Sequence, residues 1–138
     1  MPDPCLFCKI IKGEIPSHKV AENDLVFSFL DINPINAGHV LVVPKAHHEN
    51  ILDTPPELLT AAITMCKSIA KAQKDELGAE GINIGMNNFP AAGQAVFHAH
   101  FHVIPRFVND GLHPWPHKTY QDGQGQEIAK RLSKNIKY

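Results

Sequence analysis

The 138-residue chain is poor in cysteine, tryptophan and tyrosine, with three, one and two of each, and aromatic residues make up only 7 % of it. Three cysteines, an odd number, do not make a secreted disulfide framework, so a reducing cytoplasm is the expected compartment. A charge excess is lacking as well, since 13 Lys and Arg stand against 14 Asp and Glu for a net charge of −1. Such a balance leaves no electrostatic footprint for nucleic acid or an anionic membrane, and neither is expected as a partner. Apolar runs are short, as at 40–44, far below a membrane-spanning length. The first residues do not join basic side chains to a long apolar run, so no secretory leader is expected. Repeats, low-complexity tracts and linkers are also missing. With 43 % hydrophobic and 20 % charged residues, the composition is that of one ordinary globular domain over 1–138.

Histidine is plentiful, with nine in the chain, and three of them alternate with apolar residues in 97–106, Phe-His-Ala-His-Phe-His-Val-Ile-Pro-Arg. A strand turns successive side chains to opposite faces, so His98, His100 and His102 are expected on one face of a strand over 95–105. Ala99, Phe101 and Val103 then face a core. Imidazole is the side chain best suited near neutral pH to attack, exchange protons or bind metal. The ordinary alternative is a half-buried strand with incidental histidines, but unpaired buried imidazoles are costly and three compound the cost.

The remaining elements follow from local signals. A short helix is expected over 5–12, ended by Gly13 and Pro16. Strands at 18–22 and 25–31 flank the turn pair Asn23-Asp24, and a buried strand spans 40–44. A long helix follows Asp53-Thr54-Pro55-Pro56, which supplies a capping residue and first-turn prolines. Its apolar face is read as Leu59, Ile63, Cys66, Ile69, Ala70 and Leu77, and Gly78 stops it. A strand over 82–87, a loop over 88–94 and a polar closing helix over 124–135 complete the reading. Strands joined by tight turns around one long helix indicate an α+β fold on an antiparallel sheet of about five strands. A doubly wound parallel sheet needs more alternating helices.

Upstream of the histidines, Asn87 to Gln94 form a loop in which Gly93 can adopt positive φ and backbone N–H groups can meet an oxyanion. Gln94 is expected close to the histidine face. A second block, 31–45, sets Asp31 at a strand end, where a carboxylate can accept hydrogen bonds from vicinal sugar hydroxyls or cap the next turn. His39 enters the following strand from Gly38. A third block is Cys5-Leu-Phe-Cys8, whose two sulfurs suit one zinc if two further ligands exist. His47 or His48 could supply one and His98 the other. Cys66 sits on the long helix's apolar face and reads as core.

These blocks resemble the histidine triad superfamily of nucleotide hydrolases and transferases. His98-Ala-His100-Phe-His102-Val-Ile meets the pattern His-φ-His-φ-His-φ-φ, where φ is apolar. Residues 31–45 meet Asp-Ile-x-Pro…Gly-His-x-Leu-Val-x-Pro-Lys, and 7–16 meet Phe-Cys-Lys-Ile-Ile-x-Gly-Glu-Ile-Pro. The likeness covers about 5–106, leaving coil and a helix over 107–138, and is greatest to the small bacterial members of the nucleotide-binding branch. It implies that His100 attacks an α-phosphorus, His102 meets phosphate oxygens, and His39 and His98 support the centre. It further implies that Asn87, Gly93, Gln94 and Ala95 line the phosphate site and Asp31 holds the ribose. Phe7, Ile10, Phe29, Ile32 and Leu41 would form the slot for the base, with core packing as the alternative for each and an even one for Ile10. Ala95 stands where the family often has Ser or Thr, and the animal-type Trp-Pro-Pro-Gly ending is missing, Trp115-Pro116 lying well before the C-terminus.

By the same likeness, Cys5, Cys8, His47 and His98 would hold a structural Zn2+, with His48 as the local rival of His47. No catalytic cofactor is implied. The implied activity is hydrolysis of purine nucleoside 5′-phosphoramidates through a nucleotidyl-histidine, in a homodimer with the long helix and the strand after it near the interface. Dinucleoside polyphosphate hydrolysis, or nucleotide binding with little turnover, are the competing readings.

Overall fold

The computed structural model describes residues 4–137. Its elements run α1 (Leu6–Ile11), β1 (Lys19–Glu22), β2 (Val26–Leu30), β3 (Val40–Pro44), α2 (Pro56–Leu77), β4 (Gly81–Gly85), β5 (Phe101–Arg106) and α3 (Gln124–Ser133). The strands form one antiparallel sheet in the order β1-β2-β3-β5-β4, the α+β arrangement expected.

Register sorts the side chains onto two faces. Phe29 pairs with Leu41, and Leu41 with His102. Phe27, Phe29, Leu41 and Val43 therefore share the face that α1 covers with Phe7 and Ile10. On the other face Val26, Val40, Val42 and Val103 pack against Ala62, Cys66 and Ile69 of α2. Every residue of β3 is buried, as expected of a central strand with both faces covered. Cys66 is core, as expected, and burial pushes its thiol up to about 11.

The histidine segment corrects the sequence reading. The ladder begins only at Phe101, so His98 and His100 precede the strand. The backbone there bends away, and Ala99 N–H donates to the His48 carbonyl at 2.6 Å instead of to a neighbouring strand. Helix α2 differs too. Its buried stripe is Leu58, Ala62, Cys66, Ile69 and Gln73, while Ile63 and Leu77 are exposed. Pro55 takes the N-cap position without a side-chain bond, and Asp53 instead accepts from the N–H groups of Glu49 and Asn50 in the preceding turn. Gly78 ends the helix in the left-handed conformation, as expected. The strand expected at 82–87 is β4 and starts one residue earlier, ending at Gly85.

Gly38, at the entrance to β3, has φ +96°, and a Cβ there would collide with Leu77 Cδ1. Gln73 Nε2 donates to the carbonyls of Gly38 and Val103, both at 2.9 Å. Together these contacts pin the start of β3, and hence His39, to the end of α2.

Candidate functional site

Four imidazoles gather where β3, β5 and the bend before β5 meet. His39 and His98 are fully buried and His100 nearly so. Each has a defined partner. His100 Nδ1 donates to the His98 carbonyl at 2.7 Å, which fixes the proton on Nδ1 and leaves the Nε2 lone pair free. Ile35 N–H donates to His39 Nδ1 at 3.2 Å, so the proton of neutral His39 lies on Nε2. That Nε2–H donates to His102 Nδ1 at 2.9 Å, and His102 accordingly carries its own proton on Nε2. Asp31 Oδ2 stands 3.8 Å from His39 Nε2. The His100 and His102 rings are 5.0 Å apart, centroid to centroid. The outcome is a lone pair on one imidazole beside an N–H on the next.

Burial disfavours the cationic form of all four rings and lowers their proton affinity below the ordinary value. Hydrogen bonding to the His98 carbonyl and the charge of Asp31 oppose the shift at His100. His102 moves furthest, to about 4, because His100 and His39 add to the effect of burial. Neutral imidazoles at physiological pH suit nucleophilic attack and hydrogen-bond donation.

Around this centre the expected residues separate into groups. Phe7, Ile10, Phe29 and Leu41 form one buried apolar cluster with Phe27 and Val43. Ile32 lies outside that cluster and is 82 % exposed. Phe7 meets His100 edge-on at 5.0 Å and Phe29 at 5.4 Å. Asp31 follows β2, and its Oδ1 accepts from Asn33 N–H at 2.9 Å, the turn cap weighed from sequence.

The loop before the triad holds Gly93 at φ +91° and, less usually, Phe89 at φ +73°. A non-glycine residue in that region is strained and must be held by its surroundings. Gln94 does so, its Oε1 accepting from Phe89 N–H at 2.8 Å. Its Nε2 donates to the carbonyls of Glu49 and Val96, which makes Gln94 a brace of the loop. Asn87 is half-buried beside Gly93, and Ala95 is exposed.

Cys5, Cys8, His47 and His98 bring one potential ligand atom each within 4.8 Å of one another. His98 Nδ1 lies 3.4 Å from Cys5 Sγ, 3.5 Å from Cys8 Sγ and 3.2 Å from His47 Nδ1. His98 Nε2 donates to the Pro44 carbonyl at 2.7 Å, so the lone pair on Nδ1 faces the two sulfurs. Tetrahedral zinc with ligands at about 2.0–2.3 Å sets ligand–ligand edges of about 3.3–3.8 Å, close to these spacings. His48 turns instead towards Asp53, at 3.9 Å.

Sequence reasoning missed what lies beyond His102. A cleft of about 730 Å³ is lined there by Asn87 and His102, by Ile84 and Met86, and by His113 and Trp115 from the segment after β5. Its floor is braced by Arg106, whose Nε donates to Asp110 at 2.7 Å and whose guanidinium also donates to Asn83. Arg106 and neighbouring N–H groups hold the Asp110 carboxyl far below the usual carboxylate range. The sequence signal was the Asp110-Gly111 turn pair four residues after Arg106.

A family model described as the HIT domain matches residues 12–109. The chain belongs to the HIT domain family. "Protein hit" of Bacillus subtilis is 43 % identical over 134 residues, covering 96 % of this chain and 91 % of that one. Adenosine 5′-monophosphoramidase HNT1 of Saccharomyces cerevisiae is 46 % identical over 102 residues, 74 % of this chain and 62 % of that one. A crystal structure of a HIT family member from Bacillus subtilis superposes with TM-score 0.91 at 39 % identity, over 99 % of each chain. A zinc-bound histidine triad protein from Mycobacterium smegmatis superposes with TM-score 0.77 at 36 % identity, over 95 % of this chain and 94 % of that one.

Proposed function

We propose that this HIT protein is a nucleotide hydrolase acting on purine nucleoside 5′-phosphoramidates through a covalent intermediate on His100. One observation carries the reading. The 2.7 Å bond from His100 Nδ1 to the His98 carbonyl leaves Nε2 unprotonated beside the donor Nε2–H of His102. Attack by His100 Nε2 on the α-phosphorus forms the N–P bond as the P–N bond of substrate breaks. The bonding pair leaves with the amine, which takes a proton from water in the open cleft. Positive charge develops on the His100 ring, and the His98 carbonyl stabilises it through Nδ1–H. His102 donates Nε2–H to a phosphoryl oxygen, and His39, capped by Ile35 N–H, keeps that tautomer in place. Water then attacks phosphorus, releases the nucleoside monophosphate and returns neutral His100.

In this reading Phe7, Ile10, Phe29 and Leu41 back the base, and exposed Ile32 covers it. Asp31 receives the ribose hydroxyls. Asn87 and the loop of Gly93, Gln94 and Ala95 border the phosphate. The amidase named in yeast supports the phosphoramidate class. Dinucleoside polyphosphates are the second reading, supported by the cleft beside His102, which has room for a bulky leaving group. Turnover of an adenosine phosphoramidate by wild type and His100→Ala tests the assignment. Loss of activity by three orders of magnitude or more is expected, and a variant as active as wild type would refute it. Micromolar AMP binding by a wild type without turnover would instead make the protein a binding module.

We assign Cys5, Cys8, His47 and His98 to a structural zinc ion, supported by the donor set, the lone pair of His98 and the zinc-bound mycobacterial relative. With four protein ligands the metal supplies a cross-link between α1, the 44–48 segment and the triad. The reading also includes a homodimer through α2 and β4, and a cytoplasmic location. Among the described residues no helix is long and apolar enough to cross a membrane.

A further inference from the structure

Between β3 and α2 the chain leaves the sheet, and its turn over 49–54 is braced from within. Asp53 accepts from the N–H groups of Glu49 and Asn50 at 3.0 and 2.9 Å. Asn50 Oδ1 accepts from Leu52 N–H, and the buried Thr54 hydroxyl donates to the Asn50 carbonyl at 2.6 Å. A turn so braced moves as one piece with whatever is tied to it.

Its outward bonds run to one place. The His48 carbonyl accepts from Ala99 N–H at 2.6 Å, and the Glu49 carbonyl accepts from Gln94 Nε2 at 2.6 Å. Ile51 N–H donates to Asn88 Oδ1 at 2.8 Å. All of these partners lie in 88–99, the stretch that runs from the phosphate loop into the histidine bend. At its other end the segment carries His47, whose Nδ1 is 3.4 Å from Cys8 Sγ and 3.2 Å from His98 Nδ1. His47 is exposed, so burial does little to fix it and the ligand set does the fixing.

The loop at the receiving end needs holding. Phe89 has φ +73° and ψ 154°, a conformation that is costly for any residue with a side chain. Its ring is half-exposed, so packing returns little of that cost. Gln94 clasps Phe89 instead, its backbone N–H donating to the Phe89 carbonyl at 3.2 Å and its Oε1 accepting from Phe89 N–H. The Glu49 carbonyl holds Gln94 in turn.

We propose that residues 47–51 are a positioning strap, through which metal held by Cys5, Cys8, His47 and His98 sets the shape of the phosphate loop. Asn88 and Gln94 are its positioning residues. Metal occupancy is then read at the phosphate site as affinity for a nucleoside monophosphate. The strap rests on the zinc assignment above and goes beyond the role of a cross-link. Coupling between two sites is reciprocal, so the nucleotide must tighten metal binding by the factor with which metal tightens nucleotide binding.

The test uses Co2+ in the metal site, where its bonds to thiolate give a charge-transfer band, and AMP as the nucleotide. Calorimetry on the full chain is expected to show AMP bound about tenfold more tightly with Co2+ loaded than after chelation. Competition with a chelating dye should return the same factor for Co2+ with and without AMP, and AMP should shift the cobalt band. Asn88→Ala cuts the bond from strap to loop and leaves all four ligands in place. In that variant metal content should match wild type while the coupling falls below about threefold. Asn88→Asp keeps the acceptor for Ile51 N–H and should restore the factor, whatever its charge does to AMP affinity itself. Equal AMP affinity with and without metal, or full coupling in Asn88→Ala, would overturn the strap and leave the zinc site standing. If chelation unfolds the chain, the loaded protein decides alone, and a cobalt band indifferent to AMP overturns the strap. A chain that binds no Co2+ would overturn the zinc assignment and the strap together. Loaded protein that binds no AMP would overturn the nucleotide reading and the strap with it.

Discussion

At the residue scale, the site is a set of tautomers imposed by backbone groups. The His98 carbonyl sets His100, Ile35 N–H sets His39, and His39 sets His102. No side chain in this series is exchangeable for one of the same charge. His39→Asn, retaining a donor but losing the ring's reach, should lower kcat by about 10–100-fold, as loss of a group orienting a ligand does elsewhere. Nucleotide binding, resting mainly on other groups, should change far less, and titration calorimetry with AMP beside steady-state kinetics separates the two. The same tautomers predict the pH profile. His100 must be neutral to attack, and burial places its titration below the ordinary 6.5. The acid limb of kcat/KM should therefore have its midpoint below 6.5, and a midpoint at or above that value would contradict a desolvated nucleophile.

At the scale of elements, two joints hold the centre. One is the join of α2 to the start of β3, where Gly38 and Gln73 act together. Gly38→Ala places a side chain at a strained φ, while the half-exposed Leu77 methyl it approaches can turn aside, and should cost about 1–3 kcal/mol, read as a lower urea midpoint at unchanged m-value. The other joint is the cysteine pair. Cys5 Sγ caps α1 by accepting from Cys8 N–H at 3.4 Å, a task serine also performs. Cys5→Ser should therefore keep α1 while removing one thiolate, so that metal content falls and thermal stability with it. Metal stoichiometry equal to wild type would exclude the cluster.

These joints also mark where the sequence was readable. The antiparallel α+β class needed only turn signals and one long helix, and the histidine, aspartate and cysteine blocks converge in space as the family resemblance implies. Alternation alone misplaced His98 and His100, because the pull of the 44–48 segment on Ala99 is tertiary. Periodicity misjudged α2 because a buried stripe that includes Gln73 does not read as apolar; Gln73 is buried for its bonds to Gly38 and Val103. The bond from Asn36 to Asp110 joins residues far apart in sequence and leaves no local pattern to find, whereas Arg106 and Asp110 stand four residues apart beside the Asp110-Gly111 turn.

At the scale of the whole molecule, the buried imidazoles make stability depend on pH. His39, His98 and His100 are shifted below 6.5 and His102 to about 4, in each case first by burial. In the unfolded chain these rings take up protons near 6.5. Between that value and their lower folded ones, the unfolded state binds more protons, so stability falls as pH drops. It is fully present above about 6.5, and each ring that stays neutral when folded removes at most about 1.4 kcal/mol per pH unit below it. Urea unfolding in the presence of a chelator isolates this effect from proton competition at the cysteine cluster. The midpoint should be level between pH 8 and 7 and decline steadily from 6.5 towards 4. His102→Gln, which removes the most strongly shifted ring, should flatten that decline whatever it does to the midpoint at pH 8. An equally steep decline in the variant would assign the acid sensitivity to other groups.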